Sequence, residues 1–263
     1  MIKQISLALL CLTLLTLLLS SERRQTHSVG SIKTEAANPA RPKVLYLTHS
    51  AGFKHDVLPL SQQILKDIGE RTLAFEVTAT DDCSQLSREG LKKYSAVVFY
   101  TTGELPISDE QKAAFLEFIK SGKGLVGIHS ATDTFYKWPE YGELIGGYFD
   151  GHPWHQDVTV KVEDSHHPAT RHLEGAFKIK DEIYQMKNFS RSRVKVLLSL
   201  DTNSVNLSAA NVHRMDKDFA LAWCRDYGKG RVFYTALGHR AEVWQDERFQ
   251  KHLVGALSWV MRK

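Results

Sequence analysis

Short, unbroken apolar runs alternate with stretches of helical periodicity through the first half of the chain. Val44-Leu45-Tyr46-Leu47, Ala96-Val97-Val98-Phe99 and Leu125-Val126-Gly127-Ile128 carry no polar position on either face, as expected of strands covered on both sides. Between them, Leu60, Ile64, Leu65 and Ile68 share one helical face, and Phe115, Leu116 and Ile119 share another. Ser108, with Gln111 in capping-box register, marks the start of that second helix. A strand is expected at Phe75–Val77 and a short helical piece at Leu86–Leu91. Buried strands separated by amphipathic helices predict a mostly parallel α/β sheet with helices on both faces.

Beyond about residue 150 the period changes. Val158, Val160 and Val162 alternate with polar residues, as in a half-exposed strand. Further strand-like runs lie at Phe177–Ile179, Val194–Leu200, Phe219–Trp223 and Val232–Ala236, with a turn at Tyr227-Gly228-Lys229-Gly230 before the last. A final helix carries Phe249, Leu253, Leu257 and Val260 on one face. These strands read as antiparallel additions to the same sheet, so residues 43–263 form one domain.

The N-terminus stands apart from that domain. Lys3 precedes an apolar run from Ile5 to Leu19, shorter than the roughly 20 residues of a membrane span and typical of a signal-peptide core. Residues 1–21 are therefore expected to direct export to the periplasm or the medium, with an uncleaved anchor as the alternative. Residues 22–42, polar and without periodicity, read as a linker. Cys83 and Cys224 allow one disulfide but no disulfide framework. The net charge of +4 is modest and no basic block interleaves with aromatics, which excludes nucleic acid as an expected partner.

The candidate chemistry is histidine at strand ends. His49 follows the first apolar run, His129 follows Leu125–Ile128, and His239 stands just past Ala236. Residues beyond the carboxyl ends of parallel strands face one crevice, where ligands bind. His55, on the loop Gly52-Phe53-Lys54-His55, and the loop Gly146–His155 with His152 and Trp154 are expected at the same edge. Phe53, Trp154 and Trp244 are candidates for stacking on a sugar ring. His27, His166, His172 and His252 fit linker or surface positions. Gly127-Ile128-His129-Ser130-Ala131 has the outline of a nucleophile elbow, but its projecting residue is an imidazole. Ser130 is one place out of register, which argues against a serine esterase. Imidazole suits proton transfer or metal ligation near neutral pH.

Several of these pieces recur in a fixed order: Gly52-Phe53-Lys54-His55, Gly127-Ile128-His129, Gly146-Gly147-Tyr148-Phe149 with His152, and His167-Pro168. Asp181-Glu182-Ile183-Tyr184, Tyr227-Gly228-Lys229-Gly230-Arg231-Val232-Phe233-Tyr234, Gly238-His239 and Trp244 follow. Together they resemble the ThuA-like (trehalose utilisation) family over about residues 43–262. The resemblance implies the flavodoxin-like fold of the class I glutamine amidotransferases. In those enzymes the elbow residue is the catalytic cysteine; His129 holds that place here, so amidotransferase activity is not implied. It does imply a role in carbohydrate metabolism on disaccharides and their 3-keto derivatives, and a divalent metal, zinc favoured, in the histidine set.

Two readings follow. In the first, an exported enzyme acts on a disaccharide or 3-keto-glycoside delivered by a sugar oxidoreductase. His129, His55 and Glu182 are its catalytic groups, His129, His55 and His239 its metal ligands, and His49, Phe53, His152, Trp154 and Trp244 its substrate contacts. In the second, a non-catalytic module binds sugar or a partner and keeps only the fold.

Overall fold

The computed structural model describes residues 40–263; the expected export signal, His27 and most of the linker lie outside the described residues. Among the described residues, no helix is long and apolar enough to cross a membrane.

The chain runs β1 (Lys43–Leu47), α1 (Leu58–Thr72), β2 (Glu76–Thr80), α2 (Arg88–Leu91), β3 (Ala96–Phe99), α3 (Asp109–Lys120) and β4 (Gly124–Ile128). Next come α4 (Pro139–Ile145), β5 (Tyr148–Phe149), β6 (Trp154–Val162), β7 (Ala176–Ile183), β8 (Met186–Lys187) and β9 (Lys195–Leu200). β10 (Ala220–Tyr227), β11 (Gly230–Thr235), α5 (Ala241–Gln245) and α6 (Glu247–Val260) complete it. Nine strands form one sheet in the order β2-β1-β3-β4-β11-β10-β9-β6-β7, and β5 and β8 make a separate two-stranded ribbon.

The apolar runs behave as their pattern requires. β3 and β4 are buried at every position and β1 at all but its first, because helices cover both faces of the parallel half. Strands β2, β1, β3, β4 and β11 are mutually parallel, in the flavodoxin-like order. The capping box at Ser108 and Gln111 starts α3. The expected strand at Phe75–Val77 is shifted to Glu76–Thr80, since Phe75 itself drops fully buried into the core.

The second half decides what reaches the crevice. β10 returns antiparallel to β11, β9 is antiparallel to β10, β6 to β9, and β7 to β6. An even number of reversals leaves β7 pointing the same way as β4 and β11. The carboxyl end of β7 therefore arrives at the same edge as theirs, carrying Asp181 and Glu182. β6, running the other way, begins at that edge with Trp154 and His155 opposite Ile183 and Glu182.

One histidine differs from expectation here. His252 is not on the surface but 2 % exposed. It lies on the core face of α6, one turn from Phe249, and its Nδ1 is 2.8 Å from the Ala169 carbonyl. Cys83 and Cys224 are both buried and unbonded.

Candidate active site

His129 is placed by a tight exit from β4. A Cβ on Gly127 would lie 2.7 Å from Ile145 Cδ1 and 3.1 Å from Tyr234 Cδ2, so glycine lets the strand end lie against its neighbours. His129 itself has φ +47°, a left-handed conformation that costs a β-carbon-bearing residue about 1–3 kcal/mol and collects at functional positions. This is the backbone of a nucleophile elbow with imidazole at its apex. His129 Nδ1 is 2.7 Å from the Ala236 carbonyl oxygen. A carbonyl can only accept, so Nδ1 carries the hydrogen and Nε2 faces the crevice, donating to Glu182 when it holds a proton and able to ligate when it does not.

His239 is held by a buried bracket. Gly238, at φ +122°, turns the chain past β11 in a conformation open to glycine. Its N–H donates to Asp181 Oδ2 at 2.7 Å, and the Arg240 N–H donates to Asp181 Oδ1 at 3.2 Å. The Gly238 carbonyl accepts from Tyr100 Oη at 3.0 Å and Trp244 Nε1 at 2.8 Å. Burial raises the Asp181 carboxyl above its ordinary range, against the pull of His129 and the Gly238 N–H.

Glu182 then meets both imidazoles. Its Oε2 is 3.3 Å from His129 Nε2 and 3.3 Å from His239 Nδ1, and those two nitrogens are 3.3 Å apart. A tetrahedron with metal–ligand bonds of about 2.0 Å has edges of about 3.3 Å, so this triangle matches one face of a zinc-type donor set. His55 supplies a fourth donor: one atom from each of His55, His129, Glu182 and His239 lies within 4.8 Å of the others. The His55 ring sits 5.0 Å from that of His129 and 5.3 Å from that of His239. It is buried, and its Nδ1 has no hydrogen-bond partner. Such an orphaned nitrogen fits a ligand position. Three imidazoles and a carboxylate are a donor set that suits zinc and other divalent transition metals.

The charges support one another. Burial raises the Glu182 carboxyl, but hydrogen bonds and charge from His129 and His239 outweigh it and hold the group below the usual carboxylate range. The Glu182 hydrogen bond raises His239. Burial, reinforced by the neighbouring His129 and His239, lowers His55 to about 3, which keeps it neutral and able to ligate.

Around the cluster, Tyr184 lies 4.2 Å from the His129 ring and Phe149 4.3 Å from Tyr184. His152, half-exposed, places Nδ1 3.5 Å from Glu182 Oε1. His155 Nε2 accepts from Arg240 Nη1 at 3.3 Å, and its ring is 5.0 Å from His239. Phe53 is 65 % exposed beside His55.

Three expected substrate contacts are corrected. Trp244 has no exposed surface; it stacks on Tyr100 and holds the Gly238 carbonyl, so it positions His239 rather than meeting a sugar. Trp154 is 4 % exposed, packed edge-on against Phe219 with Nε1 bonded to the Asn206 carbonyl. His49 turns toward β2, where its Nδ1 meets the Asp81 carbonyl at 2.9 Å. Ser130 is fully buried with no imidazole partner, which leaves the esterase reading without a nucleophile. Tyr100 was visible as another strand-end residue but carries no charge to draw attention. Asp181 has no periodic signal at all. A larger cleft, about 380 Å³, lies between α1 and α6, but its lining brings no such set of donors together.

The sequence pattern described as ThuA, trehalose utilisation, matches residues 43–260. A ThuA-like protein of Bacteroides uniformis is 28 % identical, with 86 % of this chain and 94 % of that one covered and a TM-score of 0.71. One of Parabacteroides merdae is 22 % identical, covering 84 % and 90 %, with a TM-score of 0.67. PurLQS of Thermotoga maritima, 18 % identical over 84 % of this chain and 99 % of that one, shares the fold at a TM-score of 0.51. No curated protein matches the sequence. The chain belongs to the ThuA family, whose role is trehalose utilisation, and so to carbohydrate metabolism.

Proposed function

We propose that the protein is an exported enzyme acting on the 3-keto form of a disaccharide, with His55, His129, Glu182 and His239 holding a divalent metal, zinc by their donor set. The observation that carries this reading is the triangle of His129, Glu182 and His239 atoms at mutual distances of 3.3 Å, one corner fixed by the Ala236 carbonyl. When bound, such a metal supplies polarisation of a keto oxygen.

The residues do the rest. Glu182 is drawn into the ligand set by its two imidazole neighbours, which leaves proton transfer to a group nearer solvent. His152 is that group: Nδ1 faces Glu182 and Nε2 is left to take a proton from the carbon beside the keto carbon. The electron pair released by that C–H either forms a C=C bond as the neighbouring C–O bond breaks and the glycosidic oxygen takes a proton from water, an elimination, or takes up a proton at another atom of the sugar, an isomerisation. Neither route needs a serine or cysteine, in keeping with an elbow that carries histidine. Phe149 stacks on the His152 ring and covers one side of the base, with Tyr184 behind Phe149. A sugar oxidoreductase must supply the keto group.

Plasma mass spectrometry on the purified protein and on His129→Ala tests the metal, and consumption of 3-keto-trehalose tests the chemistry. Near-stoichiometric zinc, lost with turnover in the variant, is the expected result. Sugar binding with neither metal nor turnover would refute the enzyme and favour the binding module.

A further inference from the structure

We infer that the cleft beside the histidine cluster receives the second, neutral pyranose ring of the glycoside, and that Phe53 is the residue that selects for it. The inference rests on the carbohydrate reading above but not on its metal or its reaction.

The cleft, about 320 Å³, opens from His55 and His239 and runs between the Phe53–Leu60 segment and the start of α5. Its size is that of a small-molecule site, and it begins where the reacting ring would end. The lining has the two kinds of group a pyranose requires. Val57 and Leu60 give it an apolar floor, while Phe53 stands 65 % exposed with its ring centre 4.9 Å from that of His55. Phe53 presents an open apolar ring face to the cleft, and the C–H face of a sugar ring covers such a face without hiding its hydroxyls. Asp56, Arg240 and Glu242 supply the polar partners. Asp181 fixes the Arg240 backbone, and the guanidinium is shared between His155 and Glu242.

That sharing also sets the charge of the ligand. The one guanidinium of the lining is already engaged by Glu242, and Asp56 adds a second carboxylate, so the lining offers acceptors and donors for hydroxyls and no free arginine for a phosphate. Phe53 lies one histidine away from both His129 and His239. A ring stacked on it is thus adjacent to a ring held at the cluster.

The test is isothermal titration of the purified protein with trehalose, glucose and trehalose 6-phosphate, repeated on Phe53→Ala and Ala241→Phe. Phe53 is exposed and Ala241 lies at the solvent-facing start of α5, so both variants keep the fold, checked by thermal melting. The wild type should bind trehalose at least ten-fold more tightly than glucose or the phosphate ester. Phe53→Ala should lose that preference by removing the platform, and Ala241→Phe by filling the cleft, with glucose affinity unchanged in both. Equal affinity for one and two rings, or trehalose binding indifferent to both variants, would overturn the inference. Phe53-dependent trehalose binding without metal or 3-keto turnover would sink the proposed chemistry and leave the cleft standing. Turnover with a KM for 3-keto-trehalose that Phe53→Ala does not change would do the reverse.

Discussion

Replacing Asp181 with alanine should loosen His239 while leaving every group of the cluster in the chain. Asp181 has no exposed surface, and its two oxygens take the N–H groups of Gly238 and Arg240. A hydrogen bond to a charged acceptor contributes about 1.5–3 kcal/mol, and a buried donor left without one costs a similar amount. Against this stands the penalty of burying the carboxylate, visible in its raised pKa. The net loss for Asp181→Ala should be about 2–4 kcal/mol. Asp181→Asn keeps one oxygen for two donors and should lose about half as much. Urea unfolding gives the stability, and zinc competition against a chelator gives the affinity, which should fall about 10- to 100-fold as for other residues that orient a ligand. A variant within 0.5 kcal/mol of wild type would refute the bracket. A stability loss with unchanged zinc affinity would show that Tyr100 and Trp244, through the Gly238 carbonyl, suffice to place His239.

Two further predictions concern stability. His252, on the core face of α6, and His167, packed against Trp259 of the same helix, are lowered by burial, to about 3 and about 4. Their unfolded pKa is about 6.5, so the unfolded chain takes up protons first as pH falls; their contribution is complete above 6.5 and is lost toward the folded values. Each should cost about 2 kcal/mol between pH 7 and 5 in urea unfolding, and a slope unchanged in His252→Gln would refute the assignment. His129→Gly should be more stable than His129→Ala by about 1 kcal/mol, the reverse of the usual order, because φ +47° suits glycine. Equal stability would mean the elbow is unstrained.

The parallel half of the sheet was legible because strands buried on both faces have no polar positions to confuse their pattern. His55, His129 and His239 were legible by the same logic, as polar residues directly past those strands. Glu182 was found through resemblance alone, since its arrival depends on successive antiparallel reversals from β11 to β7, which no local pattern encodes. The tryptophans misled for a chemical reason. Trp154 and Trp244 near a site can be platforms or struts, and which they are depends on where the indole N–H finds its acceptor. His252 misled differently: a histidine reads as polar, but its place one turn from Phe249 on the apolar face of α6 was the better guide.

The four groups of the cluster come from the loop after β1, the turn after β4, the end of β7 and the loop after β11. No stretch of the chain shorter than nearly the whole domain contains them all. During synthesis, His239 emerges after the other three, so the growing chain cannot assemble the cluster until β11 and the loop beyond it have been made. A chain cut short before that loop lacks the cluster altogether, and the four groups meet only in molecules that have completed this fold.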